Sequence, residues 1–189
     1  MAEVAAAHPG AAIEVWCQDE ARRGLQPIRR RVWAPKGQRP VAVGTPRYAW
    51  AYVYGFAHPA SGRTDWWLLP VVDVAAMGQV LAAFAADAGA GPTTRVILVL
   101  DNAGWHTSPR LAIPEGLHLV FLPPYTPELQ PAERLWPLLN AGLANRDHAD
   151  LAALDDAVAT RCRQLTAQPA AIQRATGYHW WPADQPGLS

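Results

Sequence analysis

Asp19, Asp101 and Glu133 are the side chains whose types and placement could do chemistry. Asp101 closes the apolar run Val96-Ile97-Leu98-Val99-Leu100, and Asp19 closes Glu14-Val15-Trp16-Cys17-Gln18 in the same way. Glu133 stands on the first turn of a helix expected from Pro131-Ala132-Glu133-Arg134-Leu135-Trp136. Hard divalent cations take oxygen ligands from rigid elements, so three acids delivered like this are the donor set that a two-metal phosphoryl-transfer site needs. Each acid also has a plain reading. Asp19 alone is a turn former, Asp101 before Asn102 is a turn after a strand, and Glu133 complements a helix N-terminus. Order and spacing together favour chemistry. Two other acids are set aside: Glu128, between prolines, reads as a loop acid facing solvent, and Glu20 points to the opposite sheet face from Asp19 if the strand continues.

These acids need strands and helices to hold them. Ile13 to Asp19 reads as a strand, and Tyr48 to Ala57 as a second. In the second, Tyr48, Trp50, Tyr52, Tyr54 and Phe56 form a large face, and Ala49, Ala51, Val53 and Gly55 a small one. His58-Pro59-Ala60-Ser61-Gly62 turns the chain into Thr64 to Leu69, completing a hairpin. Asp73 caps a helix with Val74, Met77, Val80, Leu81 and Phe84 on one face. The apolar run from Arg95 to Leu100 suits a strand buried on both faces, and His118 to Leu122 a short one. Asp150 caps a long helix bearing Leu151, Leu154, Val158, Cys162 and Leu165. Pro169 breaks it, and a short helix to about Thr176 follows. Arg29 to Gly37 has room for a short edge strand. This order predicts an α/β fold of the ribonuclease-H-like kind: a mixed five-stranded sheet, three antiparallel strands plus two parallel ones, flanked by helices.

The chain has 189 residues, half of them apolar and 17% charged, with zero formal net charge. That suits one folded domain. Residues 1–12 are expected as a disordered lead-in, 13–181 as the domain and 182–189 as a tail. Charge neutrality counts against tight autonomous DNA binding, although an acidic core with a separate basic reader remains compatible with it. Cys17 and Cys162 read as buried free thiols of a reducing compartment. With no membrane-length apolar run and no positive n-region, the expectation is a cytoplasmic protein without membrane contact. No pairing of His106 with His58, His118 or His148 has zinc spacing.

Three blocks resemble the catalytic domain of the IS630/Tc1/mariner superfamily of DDE transposases, on the IS630 side. They are Gln18-Asp19-Glu20, Leu100-Asp101-Asn102-Ala103-Gly104-Trp105-His106 and Leu122-Pro123-Pro124-Tyr125-Thr126-Pro127-Glu128-Leu129-Gln130-Pro131-Ala132-Glu133-Arg134-Leu135-Trp136. The resemblance spans about Ile13 to Trp181. It implies that Asp19, Asp101 and Glu133 are the catalytic acids and hold two Mg²⁺ ions, with Mn²⁺ as a substitute. It further implies hydrolytic cutting of transposon ends and joining of the freed 3′ end to target DNA, typically at TA, by a homodimer on paired ends. In a bacterium such a protein would be cytoplasmic and nucleoid-associated when bound to DNA. Gln130 replaces the family's usual Asn, and the spacing from Asp101 to Glu133 is short. The loss falls in Ser108 to Gly116, where Pro109 and Pro114 leave little room for the family's usual helix. Pro137 has no N–H to bond the Glu133 carbonyl, which predicts a kink or 3₁₀ turn. Complete relatives carry N-terminal helix-turn-helix modules; this chain reads as the catalytic half, as a separate reading frame with a separately encoded module, a frameshift product or a trimmed form.

Asn102 and His106 are placed to contact DNA or the attacking group, with ordinary loop hydrogen bonds an equal alternative. Arg22, Arg23, Arg29, Arg30, Arg31, Lys36 and Arg39 form the one basic cluster, directly after the first acid. It reads as a solvated face or, slightly favoured, as the bed of a DNA backbone. Two other readings stay open: a ribonuclease-H-like nuclease with another substrate, and an inactive, transposon-derived or domesticated interaction module.

Overall fold

The computed structural model describes residues 1–29, 31, 33–38 and 49–187. Its centre is a five-stranded sheet of β1 (Ala12–Gly24), β2 (Trp50–His58), β3 (Arg63–Leu69), β4 (Thr94–Leu100) and β5 (Leu117–Phe121), in the spatial order β3-β2-β1-β4-β5. β1 pairs antiparallel with β2 and parallel with β4; β2–β3 is antiparallel and β4–β5 parallel. This is the mixed sheet of the ribonuclease-H-like fold. β1 does not stop at Asp19. It runs on to Gly24 because β2 supplies a partner as far as Trp50, and the register sets Asp19 opposite Gly55.

Alternation along the strands sorts two cores. Ile13, Val15 and Cys17 of β1, with Val53 and Ala57 of β2, face α3 (Leu135–Leu143) and α4 (Leu151–Thr166). Trp16, Tyr54 and Phe56 face α2 (Val74–Asp87), where Phe56 stacks on Phe84 with ring centroids 4.2 Å apart. The small face of β2 makes room for bulk from the next layer: a Cβ on Gly55 would lie 3.0 Å from the Trp136 ring and 3.2 Å from Leu135. Both predicted caps form. Asp73 accepts from the Ala76 amide at 2.8 Å, and Asp150 from that of Ala153 at 2.9 Å. Each fully buried Leu or Phe in these layers contributes roughly 1.5–3 kcal/mol.

Several expectations are corrected. Residues 1–12 contain α1 (Ala2–Ala7), since alanine is the best helix former and Met1, Val4 and Ala5 have a core to pack against. The expected tail is held to the sheet over residues 182–187: Gln185 pairs with Ile13 across two backbone hydrogen bonds of 2.7 and 2.9 Å, and Asp184 accepts from the Val15 amide. Of the Arg29 to Gly37 stretch, residues 29, 31 and 33–37 are described and carry no strand. Tyr48, Arg30 and Arg39 lie outside the described residues. Residues 108–116 are without a helix, in line with their prolines. Glu133 sits in a 3₁₀ turn, Pro131–Arg134, ahead of α3, and α5 (Pro169–Thr176) follows α4. Cys17 and Cys162 are buried and free. Among the described residues no helix is long and apolar enough to cross a membrane.

Candidate active site

Parallel pairing of β1 with β4 brings the Asp101 end of β4 beside the middle of β1, and the 3₁₀ turn packs over the same sheet end. Asp19, Asp101 and Glu133 thereby line one open cleft of about 400 Å³, with Asn102, Tyr125 and Gln130 on its rim. Gln130 ties the third block to β1 by donating to the Gln18 carbonyl at 2.9 Å, while its side-chain oxygen accepts from the Ala132 amide. The change from Asn is therefore absorbed structurally.

Each acid has its own setting. Asp19 is partly buried, and Oδ2 accepts a 2.6 Å bond from the Trp136 indole N–H. Burial raises its pKa to about 7; the Trp136 bond opposes this, and the charges of Glu133 and Glu20 add to it. Glu133 is also raised, by burial and then by Asp101, with Arg23 pulling the other way. Asp101 is lowered, first by its hydrogen bond to His106. Its Oδ1 lies 2.7 Å from His106 Nδ1 and accepts from the Ala103 amide at 3.0 Å.

His106 is 2% exposed, so it does not reach DNA directly. Its Nε2 lies 2.9 Å from Glu20 Oε1. Burial disfavours the charged ring, but the bonds to Asp101 and Glu20 outweigh it and lift the pKa to about 9. As an imidazolium it donates through both nitrogens, one to each acid. The Trp105 indole nitrogen, 3.1 Å from the same Nε2, is then a neighbour and not a donor to it. Glu20 does sit on the opposite face from Asp19, as alternation requires. What sequence reasoning missed is that this face leads to His106. Asn102 donates to the Leu122 carbonyl, holding the loop after β4 against the end of β5.

Three carboxylates facing one cleft, two of them with a pKa raised by burial and by a neighbouring acid, form a donor set suited to a hard divalent cation. They share a cleft without being gathered into a cage: among the described residues, no group of three or more His, Cys, Asp or Glu side chains is close enough to hold an ion as it stands.

The basic cluster divides. Arg23, on the Asp19 face of β1, lies over the Trp136 ring with 5.2 Å to its centroid, and burial lowers its pKa. Arg22 covers Trp50 at 5.0 Å. Arg29, Arg31 and Lys36 are exposed beyond the strand.

A mixed sheet with acids from β1, from the end of β4 and from the turn before α3 on one cleft defines the class: a domain of ribonuclease-H-like fold. The chain belongs to the family of DDE superfamily endonucleases, whose family model matches residues 14–155. It is 37% identical over 114 residues to the uncharacterized protein y4pE/y4sA of Sinorhizobium fredii (strain NBRC 101917 / NGR234), a match covering 60% of this chain and 80% of that one. Its fold is similar to that of Mos1 in the Mos1 strand transfer complex, at 16% identity and a TM-score of 0.54 over 89% of this chain and 56% of that one. The Mos1 mariner paired end complex with Mn gives 16% identity and a TM-score of 0.55 over 89% and 57%. The chain thus spans a little more than half the length of the Mos1 chains. The fold is the one expected from the IS630/Tc1/mariner resemblance, and membership of the DDE superfamily endonucleases is consistent with that resemblance.

Proposed function

We propose that this chain is the catalytic domain of an IS630-type transposase. It cuts DNA at transposon ends and joins the freed 3′ ends to target DNA, at TA, acting as a homodimer on paired ends. The observation that carries the reading is the convergence of Asp19, Asp101 and Glu133, from three elements, on one open cleft. Support for DNA and for divalent metal comes from the Mos1 structures, which are of a strand transfer complex and of paired end complexes with Mn and with Mg.

Asp19, Asp101 and Glu133 would hold two Mg²⁺ ions, or Mn²⁺ in their place. Bound there, the ions supply Lewis acidity at the attacking and leaving oxygens of an in-line displacement. The protein's part is to aim the acids. Trp136 fixes one Asp19 oxygen, and His106, itself held by Glu20, fixes one Asp101 oxygen. Such outer partners orient ligands and are typically worth about 10–100-fold in metal affinity or activity.

The test is nicking of supercoiled plasmid with Mg²⁺ or Mn²⁺ by the wild type and by Asp101→Ala. Metal-dependent nicking that disappears in the variant is the expected result. A wild type that stays silent even with a helix-turn-helix partner would leave the interaction-module reading standing instead.

A further inference from the structure

A second pocket, of about 180 Å³, opens between the end of β1 and α3, where Arg22, Arg23, Asn140, Arg146 and His148 meet. No Asp or Glu lines it. Arg23 donates through Nη1 to the Arg22 carbonyl at 2.9 Å, while its Nε and Nη2 are buried without a hydrogen-bond partner. Those two nitrogens form the side-on edge of the guanidinium, the one that takes two oxygens of a phosphate at once. The guanidinium carbon lies 5.2 Å from the centroid of the Trp136 ring. His148 Nε2 and Asn140 Oδ1 are also buried and unpartnered, and the Asn140 amide can turn to present its NH₂ instead. Buried polar groups in a folded protein are normally satisfied, so the two unpartnered Arg23 nitrogens, beside Arg22, Arg146 and His148, suit an anionic ligand even though Asp19 and Glu133 lie within electrostatic reach of Arg23.

We infer that this pocket seats a backbone phosphate of the DNA strand that passes through the catalytic cleft. The inference rests on the DNA-cutting function proposed above. Its position fits: Arg23 follows Asp19 on the same face of β1, four residues on, a distance of about 13 Å at strand rise. Arg29, Arg31 and Lys36, which follow in the sequence, are exposed.

Arg146 is exposed, so Arg146→Gln tests the site without disturbing the core. Binding of a short labelled duplex is followed by anisotropy in EDTA across a salt series, for the wild type, Arg146→Gln, and Arg146→Gln with His148→Gln. The single variant is expected to bind about five- to tenfold more weakly, with its salt slope reduced by about 1. In plasmid nicking it raises KM and leaves kcat unchanged. Inorganic phosphate, at constant ionic strength, raises the melting temperature of the wild type and not of the double variant. Variants with wild-type affinity and slope would overturn the assignment. A phosphate-induced shift with unaltered duplex binding would overturn it too, making the pocket a small-anion site. Loss of duplex binding in the variant, in a wild type that never nicks, would keep the phosphate site and remove the transposase. A wild type that nicks, with Arg146→Gln binding normally, would do the reverse.

Discussion

Two places along β1, its start and its middle, keep a buried histidine beside an acid, and they behave differently. At the start of the strand, His58 has Nδ1 2.6 Å from Ser61 Oγ and Nε2 3.0 Å from Asp184, while Arg63 pairs with Glu14. Every acid there has its own donor, and the arrangement clasps residues 182–187 to the sheet. Further along β1, His106 serves Asp101 and Glu20, yet Asp19 and Glu133 stay in mutual repulsion beside an open cleft. The first is electrostatically complete, and the second has more negative charge than its neighbours neutralise. A structural cluster closes its accounts; a site for a cation leaves them open.

The largest test of that contrast is Asp19→Asn. Nicking is expected to fall about a thousandfold or more, about 4 kcal/mol of transition-state stabilisation, while the metal-free protein melts higher at pH 8. The sign follows from the shift. Asp19 has a folded pKa of about 7 against 3.8 for the free group, so its contribution to stability is full below about 3.8 and lost as pH rises through 7. His106, raised from 6.5 to about 9, acts in the same direction at higher pH. The wild type without metal therefore melts higher at pH 6 than at pH 8, as calorimetry across that range would register.

The paired histidines give the next effect. His106→Gln is expected to lower nicking about 10–100-fold by freeing Asp101, whereas His58→Gln keeps nicking near wild type and instead speeds proteolysis of the C-terminal segment. Equal nicking losses in both would erase the distinction drawn between the two places. Gly55→Ala sharpens it further. Its methyl meets Trp136, Trp66 and Leu135 at 3.0–3.2 Å, so it costs about 1–3 kcal/mol of stability by overpacking and displaces the indole that holds Asp19. Asp184→Asn should be the mildest, lowering the melting temperature slightly with no change in nicking rate.

What the sequence revealed is what local pattern encodes. Asp73 and Asp150 cap their helices where a carboxylate precedes an apolar face, and alternation from Trp50 to Ala57 assigned each side chain to the correct layer. The three acids stood out because each follows an apolar run or sits in a dense proline motif, although β1 continues past Asp19 to Gly24. The Glu20–His106 bond joins positions far apart in sequence and depends on how β1 and β4 align, which no local pattern states. Likewise His58 and Asp184 meet only after the chain has returned to β1, and Arg23 is recognisable as an orphaned donor only once Trp136 lies beneath it. Pro137 did announce itself: the missing N–H predicted the 3₁₀ turn that carries Glu133.

The most direct measurement is the melting temperature at pH 8 with and without Mg²⁺, for the wild type and Asp19→Asn. If the three acids are an incompletely neutralised cation site, Mg²⁺ raises the wild-type melting temperature, and Asp19→Asn begins higher and loses most of that rise. No metal-induced shift in the wild type, or the same shift in both proteins, would contradict the account.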